Sequence, residues 1–387
     1  MKNNGSETSA YLDHNATTPL LPEVREAMLE AMGAFGNPSS PHREGRDART
    51  LLETSRKRIA RQLGVSAQEL LFTSGGSESN NTAIRQILQH PEPRHLVTSS
   101  IEHPSVLEAV RDLKAHAGVQ VHLLRVDEHG VVLAEELREV LSPDTRLVSV
   151  MAANNETGAL QPVSDLAQLC RSQQILFHTD ATQVLGKQAL DLAPFDYATA
   201  TAHKLGGPRG IGLLYIRQGT PLHPLLFGGK QERVRRAGTE SVLLACGFAQ
   251  AVEWYTTHQE ALARKHQELS RELWSRLGRL PGFFRNSPPE KSGLPHVLNF
   301  GFEGLSAETL VIALDLEGVS ISTGSACSSG ALEASPVLLA QGRSREQAKA
   351  SLRVSLGWNT TTSEVERLSN RLEHHVHRLY RKKQCRS

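Results

Sequence analysis

The sequence predicts an α/β fold, with a large domain on a mainly parallel sheet and a smaller α+β domain after it. Three observations carry this. Strand-like and helix-like segments alternate through the first two-thirds of the 387 residues. A strand-like run, Leu70 to Thr73, ends in a Gly75-Gly76 turn that opens a helix. A long helical stretch from about Ser241 to Leu277 then leads into a region of different pattern. A chain of this length carries a soft prior of two domains. We place the large domain at 15–261 and the smaller one at 1–14 with 262–387.

In chain order, Pro22 to Phe35 has apolar residues at helical spacing, and Arg43 to Leu63 is a second, more basic helix. Ser66 with Glu69 makes a capping-box pattern just before the strand Leu70 to Thr73. Then come a helix from about Ser77, a strand at His95 to Ser99, a helix from Pro104 and a strand at Val119 to Val126. Leu147 to Met151, Ile175 to Thr179, Tyr197 to Thr201 and Gly212 to Ile216 are further strands. Beyond the glycine-rich stretch Phe227 to Gly238 and the long helix, Pro295 to Phe300, the run Leu310 to Ile321 and a last helix from Ser363 suggest the α+β domain.

Composition excludes several classes. Charged residues make up 22% and hydrophobic ones 39%, as in ordinary globular proteins. A net charge of +2 gives no reason to expect a direct nucleic-acid partner. No apolar run approaches ~18 residues, so no membrane span is expected. The polar start, Met1 to Ala10, lacks a secretory signal, which makes the cytoplasm the expected location. Cys170, Cys246, Cys327 and Cys385 form no C-x-x-C pair, which argues against a disulfide framework or structural zinc. His374, His375 and His377 lack i, i+4 spacing and read as solvated side chains, so no metal is expected.

The chemistry lies in a few short motifs. Thr201-Ala202-His203-Lys204 is followed at once by Leu205-Gly206-Gly207-Pro208, and Asp180 stands upstream at the end of another strand. A pyridoxal phosphate (PLP) enzyme needs this pair. The lysine bonds the cofactor aldehyde, and the carboxylate keeps the pyridine nitrogen protonated. Each has a plainer reading, Lys204 as a surface lysine in a loop and Asp180 as a cap for the following helix. Gln183 is spaced to donate to the cofactor's phenolate oxygen. Gly76 and Ser77 form a phosphate cup at a helix amino end, with Thr201 and His203 completing the shell. No Gly-Lys-Ser/Thr triplet follows, which excludes a Walker-type site.

His103 opens a helix after a strand, where it is either structural or a stacked acid/base. Asn154 and Asn155 either serve a turn or bind the cofactor oxygen and substrate carboxylate. Arg353 is either a solvent-facing strand residue or a fork for an α-carboxylate. Gly324-Ser325-Ala326-Cys327-Ser328-Ser329-Gly330 presents one thiol among small residues, as a mobile sulfur nucleophile requires.

Other segments extend the pattern: Tyr11-Leu12-Asp13, Ala16-Thr17-Thr18-Pro19, Phe35-Gly36-Asn37-Pro38-Ser39-Ser40, Asp180-Ala181-Thr182-Gln183, Gly228 to Arg233 and Arg236 to Glu240. In order and spacing they resemble the cysteine desulfurases of the class V aminotransferase superfamily. The nearest likeness is to the nitrogen-fixation and iron–sulfur assembly group with the longer cysteine loop. The resemblance implies the PLP-dependent transferase fold, aspartate aminotransferase-like. It implies Lys204 as the Schiff-base lysine, Asp180 as the pyridinium partner, and Gln183 and Asn155 as ring-oxygen contacts. His103 would be the stacking acid/base, and Gly76, Ser77, Thr201 and His203 the phosphate shell. Arg353, with Asn155, would hold the substrate, and Cys327 would take up its sulfur. The family is dimeric, and Thr239 matches the position that reaches the neighbouring subunit's phosphate.

The implied reaction takes L-cysteine to L-alanine and a persulfide on Cys327. The sulfur then passes to an acceptor protein, a scaffold or a thiolation enzyme, and the sequence leaves open iron–sulfur cluster assembly, tRNA thiolation, cofactor synthesis and DNA phosphorothioation as its destination. Ala202, Thr323 and Ala334 depart from common family residues, and the short tail lacks the extension some relatives use to dock a scaffold. The alternatives are a PLP-dependent selenocysteine or cysteine sulfinate lyase, which needs no protein thiol, and a non-catalytic sulfur-relay scaffold subunit.

Overall fold

The structure, a computed structural model, describes residues 9–323 and 333–384. Seven strands form the main sheet: β1 (Leu70–Thr73), β2 (His95–Ser99), β3 (Gln120–Leu124), β4 (Thr145–Ser149), β5 (Leu176–Asp180), β6 (Tyr197–Thr201) and β7 (Gly212–Ile216). Their spatial order is β1-β7-β6-β5-β4-β2-β3. Only β7 runs against its neighbours β1 and β6, and the other pairings are parallel. The carboxyl ends of β1, β2, β4, β5 and β6 therefore share one edge, where α/β folds bind ligands.

Successive strand residues divide between two faces, as the period of two requires. Leu70, Phe72, Val97, Val148, Ala198 and Ala200 pack with α1 (Pro22–Ala31), α2 (Arg43–Leu63) and the helix Val242–Leu277. Leu96 and Leu147 face the helix Pro104–His116, while Leu71, Tyr197 and Leu214 pack with Ala83 of α3 (Gly76–Ile84).

A second core gathers Ala10, Leu12, Leu273, Leu298, Phe300, Leu314, Leu352 and Leu368. It lies between an antiparallel four-stranded sheet and the helices Ala307–Leu316 and Thr362–Gln384. The 36-residue helix Val242–Leu277 belongs to both cores, its first half buried in one and its last turns in the other.

Most expected elements stand within a residue or two of their sequence limits. The first helix is shorter than expected, ending at Ala31 before Gly33. The capping box at Ser66 is present but closes only a three-residue turn, Ala67–Glu69. The helices Ala134–Val140 and Val163–Ser172 were not foreseen. Asp180 caps no helix, because Ala181 to Gln188 folds as consecutive tight turns. Among the described residues no helix is long and apolar enough to cross a membrane.

Candidate active site

Lys204 lies one short turn beyond β6. Its amine donates to the carbonyls of Asn15 and, at 2.7 Å, Ala16. The segment carrying those carbonyls is tied to the lysine turn. Thr18 Oγ1 donates to the His203 carbonyl at 2.8 Å and accepts from the Gly206 amide at 2.7 Å. Gly206 has φ +64, and a Cβ there would lie 2.6 Å from Leu21 Cγ. Gly206→Ala is therefore expected to cost about 1–3 kcal/mol, read as a lower urea midpoint at unchanged m.

Asp180 ends β5 and is nearly buried. Its Oδ1 accepts from the Thr182 amide at 3.0 Å and its Oδ2 from Asn80 Nδ2 at 2.7 Å. A carboxylate has about four acceptor positions, so capacity remains for one more donor. Asn80 Nδ2 also reaches Ser105 Oγ at 2.8 Å, and that hydroxyl lies 2.8 Å from His103 Nδ1. Aspartate and histidine are thus linked through a residue on α3 that the sequence did not mark.

His103 caps its helix, its Nδ1 accepting from the Ser105 amide at 3.1 Å. The structural reading is therefore correct as far as it goes. That bond leaves Nδ1 unprotonated and Nε2 to carry the proton. The ring is open to solvent on one side, yet partial burial lowers its pKa, with Asp180 opposing and Lys204 adding to the shift.

Beside Lys204, a cavity of about 390 Å³ is lined by Gly75, Gly76, Ser77, Thr201, His203 and Arg209 among others. It opens at the amino end of α3. Burial brings the His203 pKa down to about 4, with Lys204, Lys187 and Arg209 adding to the effect. Arg209 is exposed at the mouth and was not singled out from the sequence.

Asn154 and Asn155 separate in role. Asn154 is fully buried and structural, its Oδ1 taking the amides of Glu156 and Thr157 and its Nδ2 donating to the Ile101 carbonyl. Asn155 is partly exposed, and its carbonyl accepts from Asn15 Nδ2 and Arg353 Nη1. Arg353 is 2% exposed, so the solvent-facing reading is overturned. Its Nη2 donates to Asp13 Oδ1 at 2.7 Å, and its buried Nε has no partner among the described residues. The strand Ser351–Ser355 of the second sheet carries this guanidinium to Asp13 and the Asn155 carbonyl.

Gln183 lies in the turns after Asp180, its Nε2 3.5 Å from the same Asn15 carbonyl that Lys204 contacts. Thr239 is exposed in a loop and does not line the cavity. Cys327, its loop 324–330 and Cys385 lie outside the described residues. Cys170 and Cys246 are buried, and burial raises the Cys170 pKa to about 12, which makes it an inert core thiol.

A lysine and a carboxylate at adjoining strand ends, beside an open helix amino terminus, define the cleft of a PLP-type group-transfer enzyme. Within that class the chain belongs to the aminotransferase class-V family, whose model matches residues 10–368. It is 40% identical to "Cysteine desulfurase IscS" of Dictyoglomus turgidum, an alignment covering 95% of each chain. Among solved structures it resembles "NIFS-LIKE PROTEIN", with TM-score 0.89 and 36% identity over 95% of this chain and 99% of that one. It also resembles "SspA in complex with cysteine", with TM-score 0.80 and 34% identity over 90% and 99%.

Proposed function

We infer that the protein is a PLP-dependent cysteine desulfurase that converts L-cysteine to L-alanine and leaves the sulfur as a persulfide on Cys327. The observation that carries this is that Lys204, on the turn after β6, and Asp180, at the end of the adjoining β5, stand at one sheet edge with the cup at the α3 amino end. These residues fit the cofactor. The cup is open, with only glycines at positions 75 and 76 of its wall, and Asp180 keeps acceptor capacity on the pyridine side. When bound, PLP supplies an electron sink for charge developing at the substrate α-carbon.

The chain's own groups do the rest. Gly76, Ser77, Thr201 and His203 hold the phosphate, and Asp180 holds the ring nitrogen proton. Gln183 and Asn155 contact the ring oxygen. The Lys204 amine and the His103 Nε2 hold and move protons at the reacting centre. Arg353 exchanges its Asp13 contact for the substrate carboxylate, with Asn155 beside it. The Cys327 thiolate attacks the substrate sulfur. An S–S bond forms, the substrate C–S bond breaks, and the carbon takes a proton to become the methyl group of alanine.

The division at 15–261 against 1–14 with 262–387 is supported by the two separate cores. A homodimer is supported by exposed apolar side chains, Phe35 at 84% and Phe227 at 74%, and by the exposed position of Thr239. The acceptor we propose is a sulfur-accepting scaffold protein of iron–sulfur cluster assembly, in keeping with the name of the 40%-identical relative, with a tRNA-thiolation enzyme as the second class. A chemistry that turns on a free thiol suits the reducing cytoplasm.

Purified protein with PLP, L-cysteine and a reductant should release equimolar sulfide and alanine, and Cys327→Ala should abolish both. Turnover that survives the substitution would move the assignment to a direct lyase. Coloured protein that releases no alanine would make the chain a relay or scaffold subunit.

A further inference from the structure

We propose that Lys187 is a positioning residue that sets the orientation of the Gln183 amide from a carboxylate-free pocket behind Lys204. The proposal rests on the reading of Gln183 as a cofactor ring-oxygen contact. Lys187 Nζ donates to Gln183 Oε1 at 3.2 Å. In its ammonium form the Lys187 amine can only donate, and the atom it faces is the amide oxygen. That leaves the Gln183 NH₂ turned toward the Asn15 carbonyl, the group that also receives the Lys204 amine. Without Lys187 only the longer 3.5 Å contact to the Asn15 carbonyl selects the amide's orientation, and an oxygen turned toward the cofactor oxygen would repel it.

The pocket behind this pair is unusual in its makeup. It is lined by His14, Lys187, Lys204, Tyr255, His266 and His296 among others, and no aspartate or glutamate is among the described residues that line it. Its free volume is about 20 Å³, room for one water. Among the described residues, both ring nitrogens of His14 and the Nε2 of His296 lack a hydrogen-bond partner. His266 Nε2 meets the Gly357 carbonyl at 3.1 Å. These groups come from the amino-terminal segment, the long helix and the approach to Val297–Phe302, so they enclose Lys187 from several elements.

The bases hold little charge of their own. Burial lowers the pKa of His14 and of His266 to about 4, and that of His296 well below the usual range. Lys187 as a whole is half-buried, and it lines this pocket. Burial, with Lys204 adding to it, lowers its pKa to about 7. The unfolded lysine titrates near ~10.4, so the unfolded chain binds more protons between about pH 7 and 10. Stability therefore rises with pH across that window as the cost of the enclosed charge is relieved.

Two measurements test the proposal. In the first, the visible absorbance of PLP bound to the holoenzyme is titrated with pH in wild type, Lys187→Met, Gln183→Leu and the double variant. Both single substitutions should raise the midpoint by about one pH unit, because each removes a group that favours the unprotonated chromophore, and the double variant should move no further. Lys187→Arg, which keeps a donor and has the one-water cavity to fill, should restore most of the wild-type midpoint. A shift with Gln183→Leu but not with Lys187→Met overturns the role of Lys187 and leaves the Gln183 reading intact. No shift with either overturns the Gln183 reading itself. The second measurement is of stability: the wild-type melting temperature should climb between pH 7 and 10. The same climb should be absent in Lys187→Met, and a climb that persists there would mean that it does not come from Lys187 and would overturn its burial beside Gln183.

Discussion

Lys204→Ala abolishes turnover: alanine and sulfide release should fall by about 10,000-fold or more, and PLP should no longer be retained covalently after borohydride reduction and denaturation. The size of the effect follows from position. The lysine sits on a three-residue turn at the carboxyl end of β6, and two backbone carbonyls hold its amine at the cleft. Thr18 bonds both sides of that turn, so the loss of the amine should leave the surrounding backbone in place. The variant should therefore fold and bind PLP only reversibly. Lys187 lines the neighbouring pocket and is committed to Gln183, which leaves it poorly placed to take over. Covalent PLP in the variant would show otherwise and would reassign the bonding amine.

The residues that were legible in the sequence share a physical cause. Lys204, Asp180 and the cup at Gly76 all follow directly on strands of the parallel sheet, and strand ends can be read from apolar runs and the turns that close them. Cys327 was marked by its small neighbours, a purely local signal. What the sequence hid depends on the packing of distant segments. Asn80 reads as one polar residue on a helix, yet it meets an aspartate 100 positions away. Arg353 lies in an alternating strand, yet every residue of that strand is buried, and its guanidinium meets Asp13, 340 positions distant. Lys187 in a Gly-Lys turn carries no mark of the histidines that three other segments bring to it. Asp180 misled in one respect: the turns after it form no helix, and they instead bring Gln183 and Lys187 onto the cleft.

Glu232→Ala should destabilise the protein by roughly 3–5 kcal/mol, measured by urea unfolding. Glu232 and Arg56 form a bidentate pair at 2.6 and 2.8 Å, with side chains 1% and 3% exposed. Glu232 Oε2 also accepts the Phe72 amide at 3.2 Å, and Arg56 Nη1 reaches the Leu70 carbonyl at 3.0 Å. The guanidinium lies 4.6 Å from the centre of the Phe72 ring. The pair therefore clamps β1, the strand that leads to the phosphate cup, to the loop that carries Thr239. Removing the carboxylate strands a cation in an apolar setting, and that uncompensated charge accounts for most of the cost. Glu53, 3.2 Å from the guanidinium and partly exposed, remains as a weaker partner and holds the loss toward the lower end. The loop also pays a conformational cost for the contact, because Glu232, Arg233 and Val234 have φ of 45°, 58° and 67°, a region that side chains avoid. A pair kept against that strain is expected to hold the loop in place as well as to stabilise the fold. The double variant Arg56→Met, Glu232→Leu separates the two roles. It should recover most of the stability, since an apolar pair of similar volume replaces the ions, while cofactor affinity stays reduced because the loop is no longer fixed. Full recovery of both would leave the ion pair without a role in shaping the cleft.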